Sequence, residues 1–307
     1  MATIGFDTSN YTTSIAYYDG DLGINCSKLL PVKEGQLGLR QSDAVFHHTN
    51  SLPELSGRLF SQIETESISA IGVSTKPREV EGSYMPCFLV GISHSQLLAD
   101  ALKVPLIQVS HQQGHIASAL WSANRLDLLD CAHLAWHLSG GTTELLLVEP
   151  ENKNVKCTKI GGSTDISAGQ LIDRTGILLG CRFPAGKELD KLSLDAEKTD
   201  FFKIKSLDLS FSLSGVQNKV MQYCESNSKE ETAGYVLRCI SDVVCRTTQD
   251  AIKKYPGLPV VFSGGVTANT MMRSVLSRVN PIFATPQYST DNALGVAILA
   301  HRIGEGS

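Results

Sequence analysis

The 307-residue sequence lacks the marks of several large protein classes. It has no apolar run long enough to cross a membrane, and its first residues show no basic flank followed by an apolar stretch, so no signal peptide is expected. Its eight cysteines include no Cys-x-x-Cys pair, which argues against a structural zinc site. A net charge of −4 gives no overall attraction to nucleic acid. These absences predict a cytoplasmic protein that has no membrane partner.

Two nucleotide-binding fingerprints are also missing, because the chain has neither a Walker A sequence nor Gly-x-Gly-x-x-Gly. It has instead glycine-containing turns after predicted strands, at Ser139-Gly140-Gly141-Thr142, at residues 161–165 and at Ser263-Gly264-Gly265-Val266. Exposed N–H groups in such turns can approach an anion closely. A single Gly-Gly turn can equally be an ordinary turn, but several at strand ends favour an adenine nucleotide.

The pattern of strands and helices predicts an α/β protein. Strands expected at residues 2–7, 12–18 and 23–30 form a meander, and a second set from residue 131 to residue 160 repeats it. Two copies, each followed by helices, suggest an internal duplication with a cleft between the halves, while two unrelated hairpins are the alternative. We place the first lobe at residues 1–109 and the second at residues 110–307, with the last helix able to pack on the first lobe.

Two histidines follow the predicted strand that ends at Val109. Ser110 fits a helix N-cap, so His111 and His115 are expected one turn apart on the same helix face, where they can hold one divalent ion. A helix is predicted from about residue 291 to residue 302, with Thr290 or Asp291 at its start, and Asp291 could complete a His-His-Asp set. The alternatives are two unrelated histidines and an ordinary N-cap aspartate.

Two further carboxylates follow the glycine turns. Asp173 and Asp190 could accept hydrogen bonds from ribose hydroxyls, as acidic residues do in other nucleotide sites, or they could be solvated helix carboxylates.

The order of the motifs resembles that of the tRNA threonylcarbamoyladenosine transferase family, long called glycoproteases or O-sialoglycoprotein endopeptidases. The shared motifs are Phe6-Asp7-Thr8-Ser9, His111-Gln112-Gln113-Gly114-His115, Ser139-Gly140-Gly141-Thr142-Thr143, Ala168-Gly169 through Asp173, Phe183-Pro184-Ala185-Gly186, Phe211-Ser212-Leu213-Ser214-Gly215, Gly264-Gly265-Val266-Thr267-Ala268-Asn269 and Thr290-Asp291-Asn292-Ala293. The resemblance implies a duplicated actin- and sugar-kinase-like (ASKHA) fold. It also implies transfer of threonylcarbamoyl from an adenylate to the adenosine beside the anticodon of certain tRNAs.

The resemblance also implies the ligands and the residues that hold them. His111, His115 and Asp291 would bind a divalent metal, iron or zinc. Threonylcarbamoyl-AMP or ATP would contact Leu138, Ser139, Gly140, Gly141, Thr142, Asp173, Gly186, Asp190 and Asn269, and the turn at Gly264 and Gly265 is a further candidate. The implied partners are tRNA, a smaller ASKHA-fold paralogue and an ATPase subunit.

Three stretches depart from the family's pattern. Tyr11 and Thr12 stand where an acidic pair is usual, and neither replaces a carboxylate as a base at neutral pH. Thr142 stands where the family has a histidine. Residues 75–82 replace a loop of the Gly-Pro-Gly type. The motifs for metal and nucleotide binding match those of the family, whereas the acidic pair expected to take part in the transfer step is replaced. This combination predicts a divergent paralogue.

Other functions stay open at this point. The chain could be a non-catalytic nucleotide-binding scaffold that pairs with an active relative, or a kinase of the same fold with Asp7 as its catalytic aspartate. A zinc protease of the His-Glu-x-x-His kind is disfavoured, because Gln112 is an amide that cannot act as the general base.

Overall fold

A computed structural model describes residues 1–9, 11–31, 39–289 and 291–305. Its elements in chain order are β1 (Ala2–Asp7), β2 (Thr12–Tyr18), β3 (Gly23–Leu29), α1 (Gln41–Phe60), β4 (Ile68–Lys76), α2 (Phe88–Leu102), β5 (Leu106–Ser110), α3 (His111–Ser122), β6 (His133–Leu138), β7 (Thr143–Glu151), β8 (Asn154–Ser163), α4 (Ala168–Leu179), α5 (Gly186–Ser193), β9 (Ser206–Leu207), β10 (Ser210–Phe211), α6 (Ser214–Cys224), α7 (Lys229–Lys254), β11 (Val260–Ser263), α8 (Thr270–Leu276), β12 (Pro281–Phe283) and α9 (Leu294–Gly304). Within these residues no helix is long and apolar enough to cross a membrane.

The chain forms two compact units. The first contains the described residues of Met1–Cys131, Glu149–Cys157 and Asp291–Ser307, and the second contains those of Ala132–Val148 and Thr158–Thr290. This division differs from the boundary that we placed between residues 109 and 110.

Two glycines explain the difference. A Cβ added at Gly295 of α9 would overlap the carbonyl oxygen of Gly114 of α3, so the two helix backbones are in direct contact. This contact keeps α3 with α9 in the first unit. It joins segments far apart in the sequence, and no local pattern predicts it.

The two sheets repeat one topology. In the first unit the strand order is β3-β2-β1-β4-β5, in which β2 is antiparallel to β1 and to β3, and β4 runs parallel to β1 and to β5. In the second unit β8-β7-β6-β11-β12 has the same arrangement of a meander followed by two parallel strands, and β10 and β9 extend it beyond β8. The matching order favours the predicted internal duplication over two unrelated hairpins.

The apolar side chains of each sheet explain its packing. In the first unit Ile4, Phe6 and Ile15 of the sheet pack with Leu52 and Leu55 of α1 in one buried cluster. On the sheet's opposite face, the hydroxyl of Thr3 donates to the carbonyl oxygen of Ala297 in α9 at 2.8 Å.

The second unit has its own core, in which one side of the sheet packs against α7. Trp136 and Phe262 are fully buried there among Val236 and Val244 of α7. The indole N–H of Trp136 donates to the hydroxyl of Thr248 at 2.8 Å, which satisfies its one polar atom.

Candidate metal centre and nucleotide site

The start of α3 positions the two histidines. Ser110 and Gln113 form a capping box: Gln113 N–H donates to the Ser110 hydroxyl at 3.3 Å, and Gln113 Oε1 accepts from Ser110 N–H at 2.8 Å. The predicted N-cap is therefore confirmed. The Gln113 amide also donates to the carbonyl oxygen of Val155 at 2.7 Å. These bonds start the helix at His111 and place His115 one turn later on the same face.

Asp291 is brought to this face by the segment before α9. Asn25 of β3 accepts from Ala293 N–H at 3.1 Å, and the Asn292 amide donates to the hydroxyl of Ser118 of α3 at 3.4 Å. The helix predicted from about residue 291 begins at Leu294, so Asp291 is not its N-cap. Thr290, the other predicted cap, lies outside the described residues.

The three predicted metal ligands converge. Asp291 Oδ1 lies 3.1 Å from Nε2 of His115 and 3.5 Å from Nε2 of His111. One donor atom from each residue falls within 4.8 Å of the others. Donors bound tetrahedrally at about 2.0–2.1 Å would stand about 3.4 Å apart, so two imidazole nitrogens and one carboxylate oxygen at this spacing suit a divalent ion such as zinc or iron.

A fourth side chain fixes the orientation of His111. Oδ2 of Asp7 lies 2.6 Å from Nδ1 of His111, and Oδ1 of Asp7 accepts from Ser9 N–H at 2.8 Å. Asp7 is only 1% exposed. Both of its oxygens are therefore engaged, and its bond to Nδ1 leaves Nε2 of His111 facing Asp291. The structure does not present Asp7 as a free base, which is the role that the kinase alternative requires.

Charges at the centre favour a cation. Burial raises the pKa of Asp291 and of Asp7, but bonds and attraction to the histidines outweigh burial and keep both pKa values below the usual range. Burial lowers the pKa of His111, yet the two carboxylates raise it to about 10. Burial and the charge of His111 lower the pKa of His115. Two carboxylates and one imidazolium leave a net negative charge that a divalent ion can neutralise.

The predicted nucleotide residues all lie in the second unit. The glycine turn after β6 is held at its ends, because Ser139 N–H donates to the Thr142 carbonyl oxygen at 2.8 Å and Thr142 N–H donates to the Ser139 hydroxyl at 3.1 Å. The Ser167 hydroxyl donates to the Gly140 carbonyl oxygen at 2.7 Å. Gly140 and Gly141 are exposed, and a Cβ on either would meet nothing within 4 Å. A rigid turn with an open tip can receive a phosphate or ribose.

The second glycine turn lies against the first. Gly264 has φ of +93°, and a Cβ there would overlap the carbonyl oxygen of Leu138, so only glycine fits this close approach. Leu138 is fully buried, so the structure does not expose this predicted nucleotide contact. Gly265 is exposed and opens the 3₁₀ turn Gly265–Ala268.

The remaining candidates make bonds to one another or to the backbone. Asp173 Oδ1 accepts from Ala185 N–H at 2.8 Å, and burial raises the pKa of Asp173. Gly186 is exposed at the start of α5. Asp190 Oδ1 accepts from the Asn269 amide at 2.7 Å. Asp173 and Asp190 are therefore partnered carboxylates within the protein, and a ribose would have to share or displace these bonds.

Comparison with known proteins decides the family. Residues 34–298 match the family described as TsaD, tRNA N6-adenosine threonylcarbamoyltransferase. The chain belongs to the TsaD family. Relatives that carry the same description include proteins of Thermosipho melanesiensis, 28% identical over 100% of this chain and 96% of the relative. Those of Sulfurihydrogenibium sp. and of Streptococcus pneumoniae are each 29% identical, over 98% and 94% of this chain and 90% and 88% of the relative.

Solved structures support the fold. Full-length HypF in its phosphate- and nucleotide-bound form gives a TM-score of 0.64 at 16% identity and covers 100% of this chain, which spans 47% of the HypF chain. ROK hexokinase from Thermus thermophilus gives 0.56 at 14% identity, with 100% of both chains covered. The predicted ASKHA fold of this TsaD-family chain is confirmed.

Two departures from the TsaD pattern lie in the first unit, and the third lies in the glycine turn of the second unit. Tyr11 is half-buried, and its carbonyl oxygen accepts from Leu30 N–H at 2.7 Å. The 75–82 loop is tied to α3, because Gln112 N–H donates to the Pro77 carbonyl oxygen at 3.1 Å. Thr142 closes the glycine turn described above.

Sequence reasoning missed the role of Asp7 as the partner of His111. It named Asp7 only as a weak catalytic candidate, and the one available signal was an aspartate at the end of a strand in the opening motif. It named Asp165 only as part of the turn at residues 161–165, whereas Asp165 accepts from the hydroxyl of Ser212 at 2.5 Å and from Leu213 N–H at 2.9 Å at the start of α6.

Proposed function

We propose that this chain transfers a threonylcarbamoyl group from threonylcarbamoyl-adenylate to an adenosine of tRNA, and that it needs a divalent metal for the reaction. The observation that carries the proposal is the convergence of His111, His115 and Asp291 on one point, with Asp7 fixing the first imidazole. Membership of the TsaD family supplies the substrate class. Iron and zinc both fit the donor set.

The division of labour follows from the residues. A divalent ion bound by the three ligands would polarise an oxygen of the carbamoyl phosphate anhydride. The open tip of the glycine turn at Gly140 and Gly141 would take up the nucleotide through backbone N–H groups. Attack by N6 of the adenosine on the carbamoyl carbon forms the new C–N bond and releases AMP, so the adenylate already carries its leaving group. The protein chiefly positions the reactants.

One feature favours a second candidate function. A transferase gains from a base that accepts the N6 proton, and neither Tyr11 nor Thr12 can act as one at neutral pH. Asp7 does not replace them, because both of its oxygens are engaged and it is buried. The second candidate is therefore a non-catalytic nucleotide-binding scaffold that pairs with an active relative. A smaller ASKHA-fold paralogue and an ATPase subunit are the partners we propose in either case.

A transfer assay separates the two. We would incubate the full chain, its His111→Ala variant and its Tyr11→Asp variant, each with the two proposed partner subunits, with tRNA and threonylcarbamoyl-adenylate, and measure the modified nucleoside by mass spectrometry. Transfer by the parent that His111→Ala abolishes supports the transferase. Tyr11→Asp should raise the rate, by up to about 10²-fold, if a restored carboxylate acts as a base. Tyr84→Asp is the matched control, since Tyr84 is 64% exposed in the same unit.

The same assay can contradict the proposal. Absence of transfer from both the parent and Tyr11→Asp, with adenylate binding intact by calorimetry, would favour the scaffold. Unchanged transfer after His111→Ala would remove the metal from the mechanism.

A further inference from the structure

An exposed aromatic ring stands in the connection between α4 and α5. Phe183 is 44% exposed and makes no ring contact with another aromatic side chain in the described part of the chain. Burying such a ring is favourable, so its exposure at a connection between two helices leaves a flat apolar face available to a ligand.

The backbone around this ring is firmly held. Arg182 N–H and its Nε–H donate to the two oxygens of Glu188 at 3.2 and 3.1 Å. On the other side of the ring, Ala185 N–H donates to Asp173 at 2.8 Å. Ala185 is fully buried, and a Cβ added at Gly176 of α4 would overlap its Cβ. Phe183 is thus presented from a fixed support, which lowers the entropy cost of stacking a ligand on it.

Basic side chains lie next to the ring in the sequence and on the helix that follows it. Lys187 and Lys191 are exposed one turn apart on α5, about 5–6 Å between Cβ atoms, and neither forms an ion pair within the described residues. The side chain of Arg182 is 93% exposed. The two carboxylates on α5 are already bonded inside the protein, Glu188 to Arg182 and Asp190 to an amide and a hydroxyl. Arg182 and Glu188 balance each other, and Asp190, whose bonding partners are neutral, offsets one of the two lysines. Residues 182–191 therefore keep a net charge of +1.

We propose that Arg182, Phe183, Lys187 and Lys191, which we call the α4–α5 surface, bind unpaired RNA, with one base stacked on Phe183 and the backbone phosphates contacted by the two lysines. The inference rests on the proposed function, because an adenosine beside an anticodon is reached only as part of a single-stranded loop. Stacking on an aromatic ring together with basic side chains is the usual way in which proteins hold such loops.

Two other occupants are weaker. The adenine of the adenylate offers the same kind of ring, but a mononucleotide has no extended backbone to use lysines on successive turns of α5. A protein partner could cover Phe183, but it would need acidic side chains opposite Lys187 and Lys191. Unpaired RNA can stack a base on the ring of Phe183 and at the same time place phosphates against Lys187 and Lys191.

Binding measurements test the proposal. The probe is a fluorescent stem-loop RNA of an anticodon arm with an adenosine 3′ to the anticodon, titrated with the full chain from 50 to 200 mM salt. Phe183→Ala should weaken binding about 5- to 150-fold, the loss expected for one stacked base, and Phe183→Tyr should retain it. Lys187→Gln with Lys191→Gln should make the slope of log K against log salt shallower by about 1.4.

Matched controls come from the same unit. Lys203→Gln with Lys205→Gln removes two other exposed lysines, and Phe202→Ala removes a ring that is 39% exposed. These variants should bind the loop as the parent does. A duplex of the same sequence should bind more weakly than the loop and should not respond to Phe183→Ala, because its bases are already stacked.

Several results would overturn the proposal. One is that the parent does not bind the loop at 50 mM salt, and another is that the control variants lose as much RNA affinity as the test variants. A third is that Phe183→Ala no longer binds AMP in calorimetry but still binds the RNA loop. Parent-like RNA binding by Phe183→Ala that accompanies loss of a protein partner would assign the surface to that partner. Transfer assays distinguish the failures. If the variants change RNA binding as predicted but no transfer is detected, the assignment of the α4–α5 surface holds and the proposed function fails. If transfer is detected but the variants bind RNA as the parent does, the proposed function holds and the assignment of the surface fails.

Discussion

Replacing Asp7 by asparagine removes one charge from the metal centre and keeps the shape of the side chain. Asparagine can still accept the 2.6 Å hydrogen bond from Nδ1 of His111, so the variant isolates the effect of the carboxylate charge. Burial lowers the pKa of His111, and the Asp7 and Asp291 carboxylates raise it to about 10. Without the charge of Asp7, this pKa should move back toward neutrality.

The size of the effect follows from proton competition. In the parent, a metal ion must displace a proton from Nε2 of His111 below pH 10, so the logarithm of the apparent affinity should rise by about one per pH unit between pH 6 and 9. At pH 7 the competition costs about three powers of ten, roughly 4 kcal/mol. Asp7→Asn should lose most of this slope above pH 7. At pH 9 it should bind about 10- to 100-fold more weakly, because the outer carboxylate no longer supports the ligand.

The assay is a titration of the metal-free protein with Zn²⁺ against a chelating indicator at several pH values. Asp43→Asn is the control, because Asp43 is an exposed carboxylate of α1 in the same unit. Thermal unfolding of each metal-free variant checks that the fold is intact. If Asp7→Asn keeps both the slope and the affinity at pH 9, Asp7 does not govern the protonation of His111, and its assignment as the orienting carboxylate fails.

Three further substitutions probe the fold around the sites. Gly295→Ala should force α9 away from Gly114, which should lower the free energy of unfolding by about 1–3 kcal/mol in urea denaturation and weaken Zn²⁺ binding. Gly57→Ala is the control: a Cβ there has nothing within 4 Å, so this variant should be slightly more stable than the parent. Burial lowers the pKa of His48 to about 4. The contribution of His48 to the free energy of unfolding is therefore full above pH 6.5, and it falls by roughly 3 kcal/mol as the pH drops to 4, because the unfolded chain takes up the proton first. His48→Gln should make the free energy of unfolding depend less on pH between pH 4 and 6.5. An unchanged pH dependence would contradict the lowered pKa of His48. Asp190→Ala should cost about 1–2 kcal/mol in thermal unfolding through loss of its bonds at the start of α8, and a neutral result would show that these bonds contribute nothing.

Much of the fold could be predicted from local signals in the sequence. The capping pair Ser110 and Gln113 marks the start of α3, and polar or glycine-containing turns between apolar segments mark both meanders. The hairpin of β9 and β10 was missed because its turn contains Asp208 and Leu209 at positive φ, where glycine or asparagine is the usual signal.

The sequence from Thr267 to Arg278 predicts one helix, but the structure divides this segment. A 3₁₀ turn covers Gly265–Ala268, and α8 starts afterwards because Asn269 caps it by accepting from Met272 N–H at 2.9 Å. The apolar spacing of the segment is the same for one helix or two. The position of the cap decides between them, and Asn269, a residue type that often caps helices, was the signal that the sequence analysis did not use.

The three side chains of the candidate metal centre could be named from the sequence, whereas the residues that support them could not. Two histidines four apart can be read from the sequence, and the family motif near the C-terminus supplies Asp291. The contact of Asp7 with His111 spans 104 residues and depends on the packing of β1 beside the start of α3, so no local pattern contains it. The bond between Asp190 and Asn269 spans 79 residues and was hidden for the same reason.

The metal centre draws on the first strand of the chain, on a helix from its middle and on the segment that leads into the last described helix. An ion held there would act as a cross-link between pieces of sequence that have no covalent reason to stay together. Its binding energy would add to the cost of detaching α9, by an amount that grows with free metal concentration. Amide hydrogen exchange in α9 and β1 should therefore slow when zinc is supplied, which would make metal availability a determinant of the stability of this unit.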